Sequence, residues 1–252
     1  MKAVMLVGAG GTDMLELREV PDPALEGFQD VLVRLHAAGL NPVDYKLRRV
    51  GGFYPDRLPL ILGCDGAGVV EVVGEEVTRF QVGDEVYFFN GGMGGDDQGN
   101  YSELTVIHED YLAAKPESLS MVEAASVPLV WLTAWESLFD RYSLQAGDTV
   151  LVHGGAGGVG YIAVQIAKSA GATVFTTISS AEKAAFAHAI GADHCINYKE
   201  ENFVESVLEL TDGEGVDVVF DVIGGQVFAD SFPAGTLSGA PKYKAMQLID
   251  KY

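Results

Sequence analysis

The sequence predicts an α/β protein in two parts: a compact, barrel-like β domain, then a doubly wound parallel sheet that reads as truncated. Three observations carry this. Residues 1–120 break into short apolar strands separated by frequent turn signals, with no long helix. From Met121 the rhythm changes to alternating strands and helices, the pattern of a parallel sheet covered on both faces. Where the second part gets under way, the apolar run Val150-Leu151-Val152 meets the glycine-rich turn His153-Gly154-Gly155-Ala156-Gly157-Gly158-Val159-Gly160.

In chain order, Lys2 to Val7 reads as the first strand, followed by Asp30 to Ala38 and Gly66 to Gly74. Val82 to Phe88 adds a turn and another strand, and Gly91 to Gly99 is rich enough in Gly and Asp to be a surface loop. Helical stretches are expected at Val122 to Ala125 and Leu132 to Phe139. Beyond them the strands 149–153, 173–178, 194–198 and 216–222 alternate with helices Tyr161 to Ala170, Glu182 to Ile190 and Phe203 to Leu210. A complete doubly wound fold has about six strands. The domains are therefore drawn as 1–120, an incomplete sheet over 121–230, and an unrelated tail over 231–252.

The glycine turn has chemical content. Gly155, Gly157 and Gly160 fit G-x-G-x-x-G between a strand and a helix, the context that makes the pattern a dinucleotide fingerprint. The first glycine allows the tight turn, the second admits a pyrophosphate, and the third lets helix and strand approach. Amides of Gly158, Val159 and Gly160 at the helix start would face the phosphates, aided by the partial positive charge there.

Composition narrows the partners. The chain has 252 residues, 16 Lys+Arg against 36 Asp+Glu, and a net charge of -20, which argues against nucleic acid and anionic membrane surfaces. A 48% hydrophobic share with 21% charged residues suits a soluble globular protein. Cys64 and Cys195 stand far apart with no C-x-x-C cluster, so neither a four-cysteine zinc lobe nor a disulfide framework is expected. No signal-peptide pattern and no apolar run of spanning length is found, and a cytoplasmic protein is expected.

Ordered segments carry a family resemblance. They are Ala38-Gly39-Leu40-Asn41-Pro42-Val43-Asp44-Tyr45-Lys46, Leu62-Gly63-Cys64-Asp65-Gly66-Ala67-Gly68, Gly83-Asp84-Glu85-Val86, Leu132-Thr133-Ala134-Trp135, the glycine turn, and Gly191-Ala192-Asp193-His194. With them the chain, from Met1 to about Ala229, resembles the medium-chain dehydrogenase/reductase superfamily, in its zinc-independent quinone oxidoreductase and alkenal reductase branch. The resemblance implies a GroES-like β domain, a Rossmann domain, and an NADPH-dependent reductase of quinones or α,β-unsaturated carbonyls. Zinc-dependent relatives carry a cysteine shortly after the Ala-Gly segment and a His-Glu pair after the later Leu-Gly. Here Asn41-Pro42-Val43-Asp44 and Cys64-Asp65 stand at those places, so no metal is expected.

The resemblance also assigns residues. Lys46 takes the place of a family lysine that serves as electrophile or proton source, and Tyr54 that of an active-site tyrosine. Asn41 would hold the nicotinamide ribose, Thr133 would meet the cofactor, and Tyr198 would lie near its 2′-phosphate. Residue chemistry agrees on the phosphate: Ile178-Ser179-Ser180-Ala181-Glu182-Lys183 has no acid where the strand ends, and Ser179, Ser180 and Lys183 can bind a phosphate. The plain alternative is a serine N-cap with Lys183 in solvent, and both roles can coexist. His36 and His153 have no partner visible in sequence and receive no catalytic task. Tyr45 departs from the small residue often found beside the family lysine.

The tail departs. Phe232-Pro233-Ala234-Gly235-Thr236-Leu237-Ser238-Gly239-Ala240-Pro241-Lys242 resembles a signature of chorismate-using enzymes such as the anthranilate synthase large subunit. A fusion or truncation product joined between Phe228 and Gly235 is expected, with an uncovered sheet edge and without the strand through which relatives usually dimerise. The candidate functions are an NADPH-dependent, zinc-free reductase acting on a small molecule, a dinucleotide-binding protein without catalysis, and an inert fragment.

Overall fold

The computed structural model describes residues 1–53, 55–93 and 98–231. It divides into two units, Met1–Val130 and a second beginning at Trp131.

The first unit is antiparallel. Strands β1 (Lys2–Leu6), β2 (Leu15–Glu19), β3 (Asp30–Gly39), β4 (Leu60–Ile61), β5 (Asp65–Val73), β6 (Glu85–Phe89), β7 (Leu104–His108) and β8 (Leu112–Ala114) form two sheets. One is five-stranded in the order β7-β3-β5-β6-β8, the other three-stranded in the order β2-β1-β4. Alternation along β3 turns Val31 and Val33 inward, where they pack with Val70, Val86, Phe88, Ile107 and Leu112. Two register shifts between β3 and β5, at Leu32/Val33 and Leu35/Ala37, bend this central pair. At its far end Gly39 pairs with Asp65, so the chain leaves β3 next to the start of β5.

A helix interrupts the strands that the sequence led us to expect. It is α1 (Pro42–Val50), whose Leu47 packs with Leu6 and Leu62 in a second small core. Asn41-Pro42-Val43-Asp44 encodes its start, with a cap residue, proline in the first turn and an acid at the third position. Helix α2 (Met121–Ala125) belongs to this unit too, since Ala124 and Ala125 pack with Ala67.

The second unit opens with α3 (Pro128–Trp135), which begins in the first unit and runs on into a π-helical segment, Glu136–Tyr142. Strands β9 (Thr149–Val152), β10 (Thr173–Ile178), β11 (His194–Asn197) and β12 (Val218–Phe220) then form one parallel sheet in the order β11-β10-β9-β12. Helices α4 (Gly158–Ser169), α5 (Ala181–Ala189) and α6 (Phe203–Leu210) connect them, and α7 (Gln226–Asp230) follows β12. Leu151, Phe175, Ile196 and Val207 centre the core.

β12 is shorter than the apolar run 216–222 suggests. The Asp221 carboxylate accepts from the backbone N–H groups of Ile223 (2.7 Å) and Gly224 (3.0 Å), which closes a turn and ends the strand. α4 starts three residues before the expected Tyr161, because its first turn is built from Gly158, Val159 and Gly160, which carry little helical signal. No helix among the described residues is long and apolar enough to cross a membrane. Residues 232–252, where the chorismate-like segment falls, lie outside the described residues.

Candidate functional site

The predicted residues fall in both units. In the first, Asn41 caps α1 in an extended conformation (φ -122°, ψ 154°). Its backbone N–H donates to Asp44 Oδ2 at 2.7 Å, the return arm of a capping box. Its side-chain Nδ2 donates to Asp65 Oδ2 at 2.9 Å, and the Leu129 N–H donates to Asp65 Oδ1 at 2.9 Å. The Tyr101 hydroxyl donates to Asp44 Oδ2 at 2.7 Å. Two buried carboxylates thus fix the backbone and the amide of Asn41.

Burial shapes the electrostatics. Desolvation pushes the Asp65 carboxyl up to about 6, against the hydrogen bonds from Asn41 and Leu129, with the nearby Asp44 adding to the rise. The Tyr101 hydroxyl is raised by burial first and then by its bond to Asp44. Cys64 is fully buried, and desolvation, helped by Asp44 and Asp65, pushes its thiol up to about 12. A cavity of about 390 Å³ lies against this cluster, lined by Asn41, Asp44, Tyr45, Arg48, Leu62 and Tyr101 among others.

Lys46 is not gathered into it. On α1 the buried residues are Asp44 and Leu47, and Lys46 is exposed, two positions or about 200° from Asp44. Tyr54 lies outside the described residues. Among the described residues no three His, Cys, Asp or Glu side chains stand together as a metal site.

In the second unit the sites cluster at the C-terminal ends of parallel strands, where open α/β sheets bind ligands. A Cβ on Gly155 would fall on the Thr176 hydroxyl, and one on Gly160 on the Gly154 carbonyl oxygen, so both are tied to close packing. Gly157 is looser: its nearest neighbour would be the Gly154 oxygen at 3.1 Å. Gly154 and Gly155 N–H donate to Thr177 Oγ1 and Thr176 Oγ1, each at 3.0 Å. The amides of Gly158, Val159 and Gly160 begin α4, where helix geometry provides no internal acceptor.

One strand over, Ser180 caps α5 and accepts from the Lys183 N–H at 3.3 Å, while Lys183 Nζ donates to Ser179 Oγ at 3.1 Å. Capping and a lysine held at the strand end therefore coexist. The Tyr198 N–H donates to Ile178 O at 3.2 Å, which sets Tyr198 beside the end of β10 and next to Ser179. Thr133 is exposed on α3, and its carbonyl accepts from Ser137 Oγ at 2.7 Å. Asp44, Asp65, Tyr101, Thr176 and Thr177 were not singled out from sequence for this role. For Asp44 the cap–proline–acid spacing was the available signal.

The sequence matches the Alcohol dehydrogenase GroES-like domain over residues 27–117 and the Zinc-binding dehydrogenase family over residues 158–239. A quinone oxidoreductase of Pseudomonas aeruginosa is 44% identical over 224 residues, covering 88% of this chain and 66% of the relative. The 2-methylene-furan-3-one reductase of Solanum lycopersicum is 40% identical over 231 residues, covering 89% and 57%. Among solved structures, the Escherichia coli quinone oxidoreductase complexed with NADPH superposes with a TM-score of 0.81 at 31% identity, covering 98% of this chain and 78% of that one. The chain belongs to the medium-chain dehydrogenase/reductase family, in its quinone oxidoreductase branch. Its units are accordingly a GroES-like domain and a Rossmann-like parallel sheet. It spans less than two thirds of the length of these two curated relatives. None of these relatives supports the chorismate resemblance, and the dehydrogenase match runs to residue 239, past the expected junction.

Proposed function

We propose that this chain is an NADPH-dependent oxidoreductase that reduces a quinone or an α,β-unsaturated carbonyl, with the first unit, Met1–Val130, as the substrate domain and the second, from Trp131, as the dinucleotide domain. The observation that carries the cofactor is Lys183, its ammonium held on Ser179 beside Tyr198 at the end of the second parallel strand, where NAD-binding sheets carry a carboxylate. Support comes from the relatives: one solved neighbour binds NADPH, one sequence relative is a quinone oxidoreductase, and another is a 2-methylene-furan-3-one reductase.

The residues fit the cofactor. Amides of Gly158, Val159 and Gly160 lie in the first turn of α4 and have no acceptor within the helix, and the space at Gly157 lets a diphosphate approach. Ser179, Ser180, Lys183 and Tyr198 would hold the 2′-phosphate, and Asn41 and Thr133 would hold the nicotinamide end. When bound, the cofactor supplies the hydride. As it reaches the substrate, negative charge develops on oxygen, and Lys46 and Tyr54 are the donors we assign to meet it. Asn41 is pre-oriented for its task by Asp44 and Asp65. Both cysteines are free thiols, in keeping with a reducing cytoplasmic setting.

Calorimetric titration of the purified chain with NADPH and NADH tests the reading. Micromolar NADPH affinity with weak NADH binding, and quinone turnover lost in K46A or Y54F, are expected. Equal affinity for the two would remove the 2′-phosphate assignment. Binding without turnover would leave a dinucleotide-binding protein in place of an enzyme.

A further inference from the structure

His153 stands immediately before the glycine loop and is 1% exposed. Its Nδ1 lies 3.2 Å from Thr177 Oγ1, and its Nε2 lies 3.1 Å from Ser231 Oγ. The Phe203 ring meets it edge-on with centroids 4.8 Å apart. The partners on either side settle the direction of each bond. Ser231 Oγ donates to Val227 O at 2.8 Å, so its hydroxyl proton is spent and it accepts from His153 Nε2–H. Nδ1 is then the unprotonated nitrogen and accepts the Thr177 hydroxyl proton. Thr177 Oγ1, its proton aimed at the ring, accepts the Gly154 N–H at 3.0 Å. Four bonds therefore run in one direction through five groups: Gly154 N–H to Thr177, Thr177 to His153, His153 to Ser231, and Ser231 to the Val227 carbonyl.

From this geometry we propose that His153 is a positioning residue of the nucleotide loop: its neutral, Nε2-protonated ring orients Thr177 to hold the Gly154 amide, and ties the loop to the segment after α7. The inference rests on the dinucleotide reading above and goes beyond it. A histidine that merely filled space would need neither partner, and two hydroxyls 24 and 78 residues away would not both be presented to its nitrogens. Bonds aligned head to tail also polarise one another, so the chain acts as a unit. Because Gly154 N–H is committed to Thr177, it is withheld from phosphate, and the anion is left to the amides of Gly158, Val159 and Gly160. Burial favours the neutral ring, with Asp221 acting in the opposite sense.

The test compares H153F, H153Q and T177V with the wild-type chain. We expect NADPH affinity to fall about tenfold in H153F and T177V, with no further loss in the double variant, since both cut one chain of bonds. H153Q, whose amide keeps a donor and an acceptor, should recover part of the affinity. Ring nitrogen shifts at pH 7 should show Nε2 protonated and Nδ1 bare. Affinities within twofold of wild type in both single variants, additive losses in the double, or a ring protonated on Nδ1 would overturn the proposal. Should H153F fold poorly, T177V severs the adjacent link without changing shape. A wild-type chain that binds no NADPH would sink the dinucleotide reading instead. In that case Gly154 amide exchange in the nucleotide-free protein decides the link: tenfold faster exchange in T177V supports it, and unchanged exchange overturns it.

Discussion

Asp65 accepts the side-chain amide of Asn41 at 2.9 Å, although the two are 24 residues apart and belong to different elements. The contact exists because β3 and β5 are antiparallel neighbours whose ends meet at Gly39 and Asp65, and Asn41 follows two residues after Gly39. The strand pairing thus delivers a buried carboxylate to the residue that caps α1.

That carboxylate makes stability depend on pH in an unusual sense. Its folded pKa, about 6, lies above the ordinary 3.8, so the folded state holds its proton more tightly than the unfolded chain. The stability this contributes is complete below 3.8 and is lost as pH rises through 6. A shift of roughly two units corresponds to about 3 kcal/mol. The stability of wild type relative to D65N should therefore fall by about that amount between pH 4 and pH 7, with Tm or urea denaturation as the measure. A difference that stays flat across this range would show that Asp65 ionises as it would in water.

Tyr101 and Asp44 form the second prediction. Asp44 Oδ2 accepts from the Asn41 N–H and the Tyr101 hydroxyl, while buried Oδ1 has no hydrogen-bond partner among the described residues. Y101F removes one of the two and leaves a buried carboxylate further under-satisfied. The expected cost is about 1–3 kcal/mol in urea denaturation. A cost under about 0.5 kcal/mol would mean that water replaces the hydroxyl.

Cys64 and Cys195 should differ in reactivity. Cys64 is fully buried with its thiol pushed up to about 12, whereas Cys195 is only partly buried, its thiol raised by desolvation alone. Labelling with a thiol reagent at pH 8 should modify Cys195 first and Cys64 only after denaturant is added. Equal rates in the native protein would contradict the packing around Cys64.

How much of this could be read beforehand depends on range. The parallel sheet and glycine loop were legible because strand, turn and helix signals lie within a few residues of one another, at Val150 to Gly160. A serine cap was legible, though not which of Ser179 and Ser180 would provide it; Ser180 does, and its coexistence with the Lys183–Ser179 bond follows from backbone and side chain of Lys183 meeting different serines. α1 was missed although Asn41-Pro42-Val43-Asp44 spells its start, because the strand rhythm on either side dominated the reading. The partners of Asp44 and His153 were not legible at all. Tyr101 lies 57 residues from Asp44 and Ser231 lies 78 from His153, distances that only the completed topology closes.

Within the loop, G157A and G160A should separate binding from folding. Ala at Gly157 adopts an allowed backbone (φ -90°, ψ 170°) with its nearest contact at 3.1 Å, so stability should change by less than about 1 kcal/mol. Its methyl group would occupy the approach of the diphosphate, and NADPH affinity should drop by roughly tenfold or more. At Gly160 the methyl would collide with backbone, the Gly154 carbonyl, and the second unit itself should be destabilised by about 2 kcal/mol or more. Calorimetry and thermal unfolding run in parallel decide this. Loss of stability in G157A with binding retained would invert the assignment.

Lys183 offers the sharpest test of cofactor choice. Its ammonium bonds Ser179 while its backbone N–H bonds the Ser180 cap, so K183A removes the charge and keeps the cap. A charge-assisted bond to phosphate is worth about 1.5–3 kcal/mol. NADPH affinity should therefore weaken by about tenfold or more in K183A, with NADH affinity unchanged. K183E should go further, since a carboxylate at the strand end repels the 2′-phosphate and can bond a ribose hydroxyl. The ratio of the two affinities is the quantity to follow, because a general loss of loop structure lowers both together. A fall of NADPH and NADH binding in equal proportion would mean that Lys183 supports the fold and does not read the phosphate.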